Sequence, residues 1–437
     1  MVFLIESNLN LNTFMKNLLL ILALSLFSIQ SYAGSCPDGS DPVRSISADG
    51  TYFVFNCAGN DEANSNNTSL LNGHVKASDI KFPGKFYTTK INSCKAMDDN
   101  YTATFSKKSN VNKVKKLVGY DWPADHKANS NSMNVYHQRI TVPSTLLMSA
   151  THNAIANNNQ DNVTIAKNLL VDLAKADTLY DSIGYIEVKK KPGCYAGGDI
   201  NARCWYHEYQ FARDVFSNLM MSGLWLKDEL NEQEFKVVDQ YIQKMYAKFL
   251  RPIEAQKEEQ GFYALANGGI PILVYSSWSD DKNLAAKEIN HRFNEIDTLY
   301  YEDGYINNNS FRGYRSQWYH SYGHDSALGY VYVAKLWGAN VPEKLQIKLV
   351  KASEVVNLAI TDWDKFKSRK HSDENHNAIN DPANAIKHTH QMAMGLDVLM
   401  KIVTGIELER DPAYLSKRKK FMNQGIDELV GFNPHCI

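Results

Sequence analysis

NEQEFKVVDQYIQKMYAKFL, residues 231–250, sets apolar side chains at helical spacing among charged and amide ones. The same pattern recurs over 164–180, 209–226, 281–301, 324–338, 343–361 and 384–405, with Gly, Pro, Asn and Asp in the connections. No fixed repeat of about 34 or 40 residues runs through these segments, so a regular solenoid is not expected. The number of helices suits an all-α barrel or toroid of helical hairpins better than a four-helix bundle. The helical pattern begins near Val142. Residues 91–140 are poor in it and rich in Lys, Asn and Ser, which reads as a long surface segment.

Working outward to the N-terminus, residues 34–90 read differently. SISADGTYFVFNC alternates and turns like a small hairpin, and NDEANSNNTSLLNG is a polar loop. A small β-containing appendage is therefore expected over 34–90. Before it, MKNLLLILALSLFSIQSYA ends on the small-x-small pattern Ser31-Tyr32-Ala33. This predicts a secretory signal peptide over 1–33 with Met15 as the true start. Its apolar core, Leu18 to Phe27, is short for a membrane span, and no later apolar run is longer. The expected location is periplasmic or secreted.

The chain carries 47 basic and 48 acidic residues. The predicted signal segment removes one of each, Lys16 and Glu6, so the balance stays near neutral. Neither nucleic acid nor a membrane surface is implied as a partner. An anionic substrate would have to be held by a local basic cleft. With 24 Tyr and 7 Trp, the aromatic content fits either an aromatic core or a sugar-stacking cleft. Six cysteines in an exported chain favour disulfides. Cys194 and Cys204 bracket a Gly-rich loop and are paired here, Cys36 with Cys57 next, leaving Cys94 and Cys436. No Cys-x2-Cys spacing points to a metal.

The densest polar stretch is EDGYINNNSFRGYRSQWYHSYGHDSALGYVYVA, 302–334. Asp303-Gly304 marks a turn. Arg312, Arg315 and Tyr319 fall at i, i+3 and i+7, one face if a helix already runs there. The bland reading of such a face is solvated charge beside a half-buried aromatic ring. The chemical reading is β-elimination from a uronic-acid polymer. There the proton on C5 is weakly acidic until the adjoining carboxylate is neutralised, and arginine does this with a matching fork. A tyrosine can then take the C5 proton and return one to the departing O4. Ordinary tyrosine titrates near ~10, so nearby cations must lower it.

In these residues the chain resembles the alginate lyases of polysaccharide lyase family 5 and their superfamily. That family follows a D-G turn with R-x-x-R-A-L-x-Y-H-x-Y-A-L. Here the arginines Arg312 and Arg315, the pair Tyr319-His320 and the second tyrosine, Tyr322, fall in step. The resemblance implies an incomplete (α/α) toroid, no cofactor, and an acidic polysaccharide as substrate. It makes Tyr319 the catalytic tyrosine and Arg312 the carboxylate-binding arginine. A second family motif, N-N-H-S-Y-W, corresponds to YALANGGIPILVYSSW at 263–278. Asn267 matches its second Asn, but Gly268 stands at the histidine position. His207, in WYHEY, is the chosen replacement, with His320 and His324 as alternatives. Arg315, His320, Tyr263 and Tyr322 complete the expected substrate-binding set. The resemblance covers 160–405, is closest over 303–322, and does not reach 34–90.

Other signals are weaker. His320-x3-His324 has a zinc-like spacing, but Ser321 stands where the protease form needs Glu. HSDENHNAINDPANAIKHTH, 371–390, matches no EF-hand and reads as a polar loop. KKSNVNKVKK, 107–116, is either a solvated face or a lid over a polyanion. Two rival functions stand beside the lyase. A glycoside hydrolase would need two carboxylates, for which Asp303 and Glu208 offer themselves without a supporting motif. A sugar-binding protein without catalysis would explain Gly268.

Overall fold

The computed structural model describes residues 43–46, 53–56, 75–82, 103–121, 137–181, 217–247, 269–307, 309–311, 316–369, 396–408 and 412. The predicted signal segment and all six cysteines lie outside them. The chain divides into two compact units, residues 1–67 and 68–437. In the first, β1 (Val43–Ile46) pairs antiparallel with β2 (Phe53–Asn56), Val43 opposite Asn56 and Ile46 opposite Phe53. This is the expected hairpin.

The second unit is helical. Its described elements are α1 (Lys108–Lys115), α2 (Val142–Ala156), α3 (Gln160–Lys175), α4 (Asn218–Leu226), α5 (Glu232–Met245) and α6 (Ile270–Trp278). They continue with α7 (Lys282–Leu299), α8 (Ser316–Leu336), α9 (Glu343–Thr361), α10 (Trp363–Ser368) and α11 (Leu396–Thr404). Short links join α2 to α3, α6 to α7 and α8 to α9, the connection of antiparallel helical hairpins.

The hairpins pack in two layers. An inner row runs α2, α4, α6, α8, α11, each packed on the next, and outer contacts join α3 to α5 and α7 to α9. This is an (α/α) toroid arrangement. The Asn218 amide at the head of α4 donates to the Ser144 and Thr145 hydroxyls at the head of α2, both at 3.2 Å. Beside α8, Gly269 at the head of α6 lies against the Tyr330 ring, and the Trp337 indole donates to the Leu273 carbonyl at 3.0 Å.

The layers explain the sequence pattern. A helix sandwiched within the arc buries every side. All of α4 but Leu224, and all of α6 but Ser277, is buried. Such segments have no wet face to contrast with their buried one. Outer helices have a wet face, so α5 buries only Val238, Tyr241, Ile242 and Met245. Their starts carry caps. Asn231 and Glu234 form a reciprocal capping box on α5, both bonds 2.9 Å. Asn159 and Asp281 accept from the third residue of α3 and α7.

Two segments differ from expectation. Within 91–140, α1 is a docked helix whose neighbourhood buries Phe105, Val114 and Leu117 against α2 and α3. Residues 75–82 lie along the helical unit. Val75 exchanges two backbone bonds of 2.8 Å with the Asn290 side chain, and Lys81 N–H donates to the Trp337 carbonyl at 2.9 Å. No helix among the described residues is long and apolar enough to cross a membrane.

Gly338 is where this strap crosses the end of α8. It has φ +92°, and a Cβ there would sit 2.7 Å from the Asp79 carbonyl oxygen. Gly338→Ala is expected to lower the urea-unfolding free energy by at least ~1–2 kcal/mol, the cost of the left-handed backbone alone. An unchanged midpoint would contradict the strap's close approach.

Candidate active site

The site begins with a turn. Between α7 and α8 the chain folds back so that Tyr300 bridges Ile306, and Gly304 N–H donates to the Tyr301 carbonyl at 3.0 Å. Gly304 has φ +85°, and a Cβ there would lie 2.4 Å from the Lys351 carbonyl carbon in α9. Only glycine lets the turn lie on that backbone. Asp303 beside it is ion-paired with Arg369, whose Nε lies 2.7 Å from its carboxylate. The Arg369 guanidinium spreads over the faces of Tyr301, Phe311 and Tyr305 at 4.9, 5.4 and 5.5 Å. Tyr305 and Phe311 continue into a core cluster with Val355, Ala359 and Phe366.

This turn positions α8. Three of the expected site residues, Tyr319, His320 and Tyr322, lie on its first two turns. Tyr319 and Tyr322 are half-buried and His320 is fully buried. Trp318 stacks on Tyr322, ring centres 5.7 Å apart, and meets Tyr319 edge-on at 4.5 Å. Asn309 donates its amide to the Tyr319 carbonyl at 3.3 Å, tying the turn to the helix start.

His320 faces inward. Its Nε2 lies 3.0 Å from the Ala352 carbonyl, which can only accept, so that nitrogen carries the proton. Its Nδ1 then accepts from the Ser310 hydroxyl at 2.8 Å. Ser310 in turn accepts from the Ile306 N–H at 2.7 Å. Burial pulls the imidazole down to about 4, against the Ala352 bond that favours its charged form. It is neutral at pH 7, with both nitrogens engaged by protein. Its contacts are with the turn before α8 and with α9, inside the protein.

His324, one turn on, is equally enclosed. It bonds the Tyr300 hydroxyl at 3.1 Å and the Ser353 hydroxyl at 2.6 Å. All four nitrogens of the His320-x3-His324 pair therefore have protein partners, and the zinc-like spacing serves packing between α8 and α9. Among the described residues no group of three potential metal-binding side chains converges.

Gln317 and Ser321 were missed in the sequence. They lie one turn apart on the face of α8 away from Tyr319 and are completely buried. Neither the Gln317 amide nor the Ser321 hydroxyl has a hydrogen-bond partner. A buried amide left so costs ~1–3 kcal/mol. The only signal was a glutamine inside an aromatic, charged motif.

His207, Tyr263, Asn267, Arg312 and Arg315 lie outside the described residues, as does Gly268. In the chain, each precedes the head of an inner helix, α4, α6 or α8. Glu208, the second carboxylate of the hydrolase alternative, is also outside them, and the first, Asp303, is occupied by Arg369.

No family model matches the chain, and no curated protein sequence matches it. Among solved structures, it is similar to alginate lyase A1-III from Sphingomonas species A1, with 13% identity and a TM-score of 0.49 over 84% of this chain and 91% of that one. A variant of alginate lyase A1-III complexed with a tetrasaccharide gives 13% identity and 0.44 over 75% and 92%. An apo form of another variant gives 12% and 0.37 over 80% and 97%. These likenesses are too distant to carry residue roles across.

The buried histidines make a pH prediction. His320 and His152 are both held near about 4 by burial, while an unfolded histidine titrates near ~6.5. The unfolded chain therefore binds more protons between those values. The stability these groups contribute is full above ~6.5 and lost as pH falls toward about 4. Urea unfolding should weaken by a few kcal/mol across that window. His320→Asn should be less stable at neutral pH yet show a shallower fall. Parallel slopes would contradict a neutral, buried His320.

Proposed function

We propose that the protein is a polysaccharide lyase that cleaves an alginate-type uronic-acid polymer by β-elimination. Arg312, with Asn267, pairs with the substrate carboxylate and makes the C5 proton acidic. Tyr319 removes that proton. The C4–O4 bond breaks, a C4–C5 double bond forms, and Tyr319 returns a proton to the departing O4. Arg315 supplies positive charge beside the tyrosine, and Tyr263 and Tyr322 offer ring faces to the sugar. His207 takes the place of the family histidine absent at Gly268. His320 positions Tyr319. Side chains fill every role, so the reaction calls for no cofactor. On this reading the enzyme is exported, periplasmic or secreted, with its cysteines paired.

One observation supports this most. Tyr319 is half-buried on the first turn of an inner helix, while its neighbour His320 is locked inward by Ser310 and Ala352. Tyr241, Tyr300 and Tyr330 are instead enclosed, and burial raises each above the usual phenol value. A base must be able to reach substrate, and the motif tyrosines Tyr319 and Tyr322 are not sealed in the core; of the two, Tyr319 is the one that falls in step with Arg312 and Arg315.

The test is near-ultraviolet absorbance on incubation with alginate, polymannuronate, polyguluronate and glucuronan. An unsaturated product should accumulate with at least one polymer. Tyr319→Phe should lower the rate by roughly 10²–10⁴-fold, the range for loss of a general acid–base group. Retained activity in that variant would remove Tyr319 from the chemistry. Binding of a uronan without turnover would favour the non-catalytic alternative.

A further inference from the structure

The helix α1 has charges that the proposed reaction does not use. One side is seated on the helical unit. Phe105, Val114 and Leu117 are buried, the Asn162 amide donates to the Thr104 and Ser106 hydroxyls, and Gly119 N–H donates to Thr178 at 2.9 Å. It is a docked helix, not a free lid. The opposite side presents Lys108, Lys113, Lys115 and Lys116, all exposed. None of the four has an acidic partner among the described residues. Elsewhere among the described residues of the unit some lysines are ion-paired, such as Lys167, Lys244 and Lys344, and others, such as Lys236 and Lys282, stand singly; α1 differs in bringing four exposed lysines together within nine residues. No Asp or Glu occurs from Ala103 to Tyr120.

Helix stability explains only part of this. Cations suit the C-terminal turn, where Lys113 and Lys115 lie, because they offset the helix dipole. Lys108 is the first residue of the helix, where the dipole disfavours positive charge, and the first turn carries no acidic residue. In a chain of net charge −1, this is a local field.

We infer that α1 is a secondary binding surface for a polyanionic polysaccharide chain, separate from the cleavage residues. It rests on the proposed function for the identity of the polymer, a uronan, but not for its charge. A uronan repeats one carboxylate per sugar, so several meet the helix at once. Lysine suits such a surface, since its compact ammonium attracts charge without demanding the paired geometry that arginine reads. Holding a distant part of the polymer raises the effective concentration of cleavable bonds at the site. The attraction is exposed, so salt weakens it.

The experiment replaces Lys108, Lys113, Lys115 and Lys116 together with Gln in the full mature chain, with a four-Arg counterpart as charge control. Unchanged thermal unfolding verifies the fold. In native gels cast with alginate, the wild type and the Arg form should be retarded, and the Gln form should lose most of that retardation. Against long polymer at low salt, KM of the Gln form should rise roughly tenfold. The rise should vanish at high salt, and kcat on short oligosaccharides should not change. Equal retardation of wild type and Gln form, or none by the wild type, overturns the surface. Retardation lost in the Gln form without cleavage by any form leaves the surface standing and removes the lyase reading. Cleavage with no difference between forms does the reverse.

Discussion

Two buried imidazoles on successive turns of α8 hold the candidate site in place. His320 and His324 join α8 to the turn after α7 through Ser310 and Tyr300, and to α9 through Ala352 and Ser353. Each bond is inside the protein, where an unmade one costs ~1–3 kcal/mol. The consequence for chemistry follows from helix geometry. Adjacent residues project about 100° apart, so a histidine fixed inward turns the tyrosine before it away from the α9 contact. The Tyr319-His320 pair thus separates two tasks between neighbours, one held by the fold and one presented by it. Gly304 belongs to the same device, because the turn carrying Ser310 lies directly on the α9 backbone.

Charge in this interior is handled by pairing. Arg292 is fully buried on α7 between Glu288 at 2.6 Å and Glu295 at 2.7 Å. Burial pulls its pKa down, but the two carboxylates outweigh that and hold it charged. It also touches the place where a Gly269 side chain would begin, which keeps the head of α6 against Tyr330. Gln317 is the contrast: a buried amide on the inward side of α8 with no protein partner.

The sequence showed the outer helices well and two inner ones, α4 and α11, within the spans 209–226 and 384–405. The span predicted over 343–361 is α9 to the residue, and α5 and α7 differ from their predicted spans only at the ends. Each has one wet face, which writes a period into the sequence. In contrast, α6 was read only as a motif, because a helix buried all round has no polar stripe. The start of α8 was placed at 324 by its apolar run, yet the helix begins at Ser316. Its first turns are polar, with Gln317, His320 and Ser321 buried among them. The helix α1 was hidden in a Lys-, Asn- and Ser-rich stretch whose few apolar residues find partners only in α2 and α3. The histidine spacing suggested a metal because Ser310, Ala352 and Ser353, the groups that occupy those nitrogens, are distant in the chain. Pattern along one helix cannot reveal what another helix brings to it.

The account centres on elimination, which adds no water to the product. The most direct test is to digest uronans in water enriched in heavy oxygen and weigh the products. Elimination predicts fragments one water lighter than hydrolysis products, with an unsaturated end and no heavy oxygen incorporated during bond cleavage. Saturated fragments carrying the label, or no cleavage of any uronan, would contradict it.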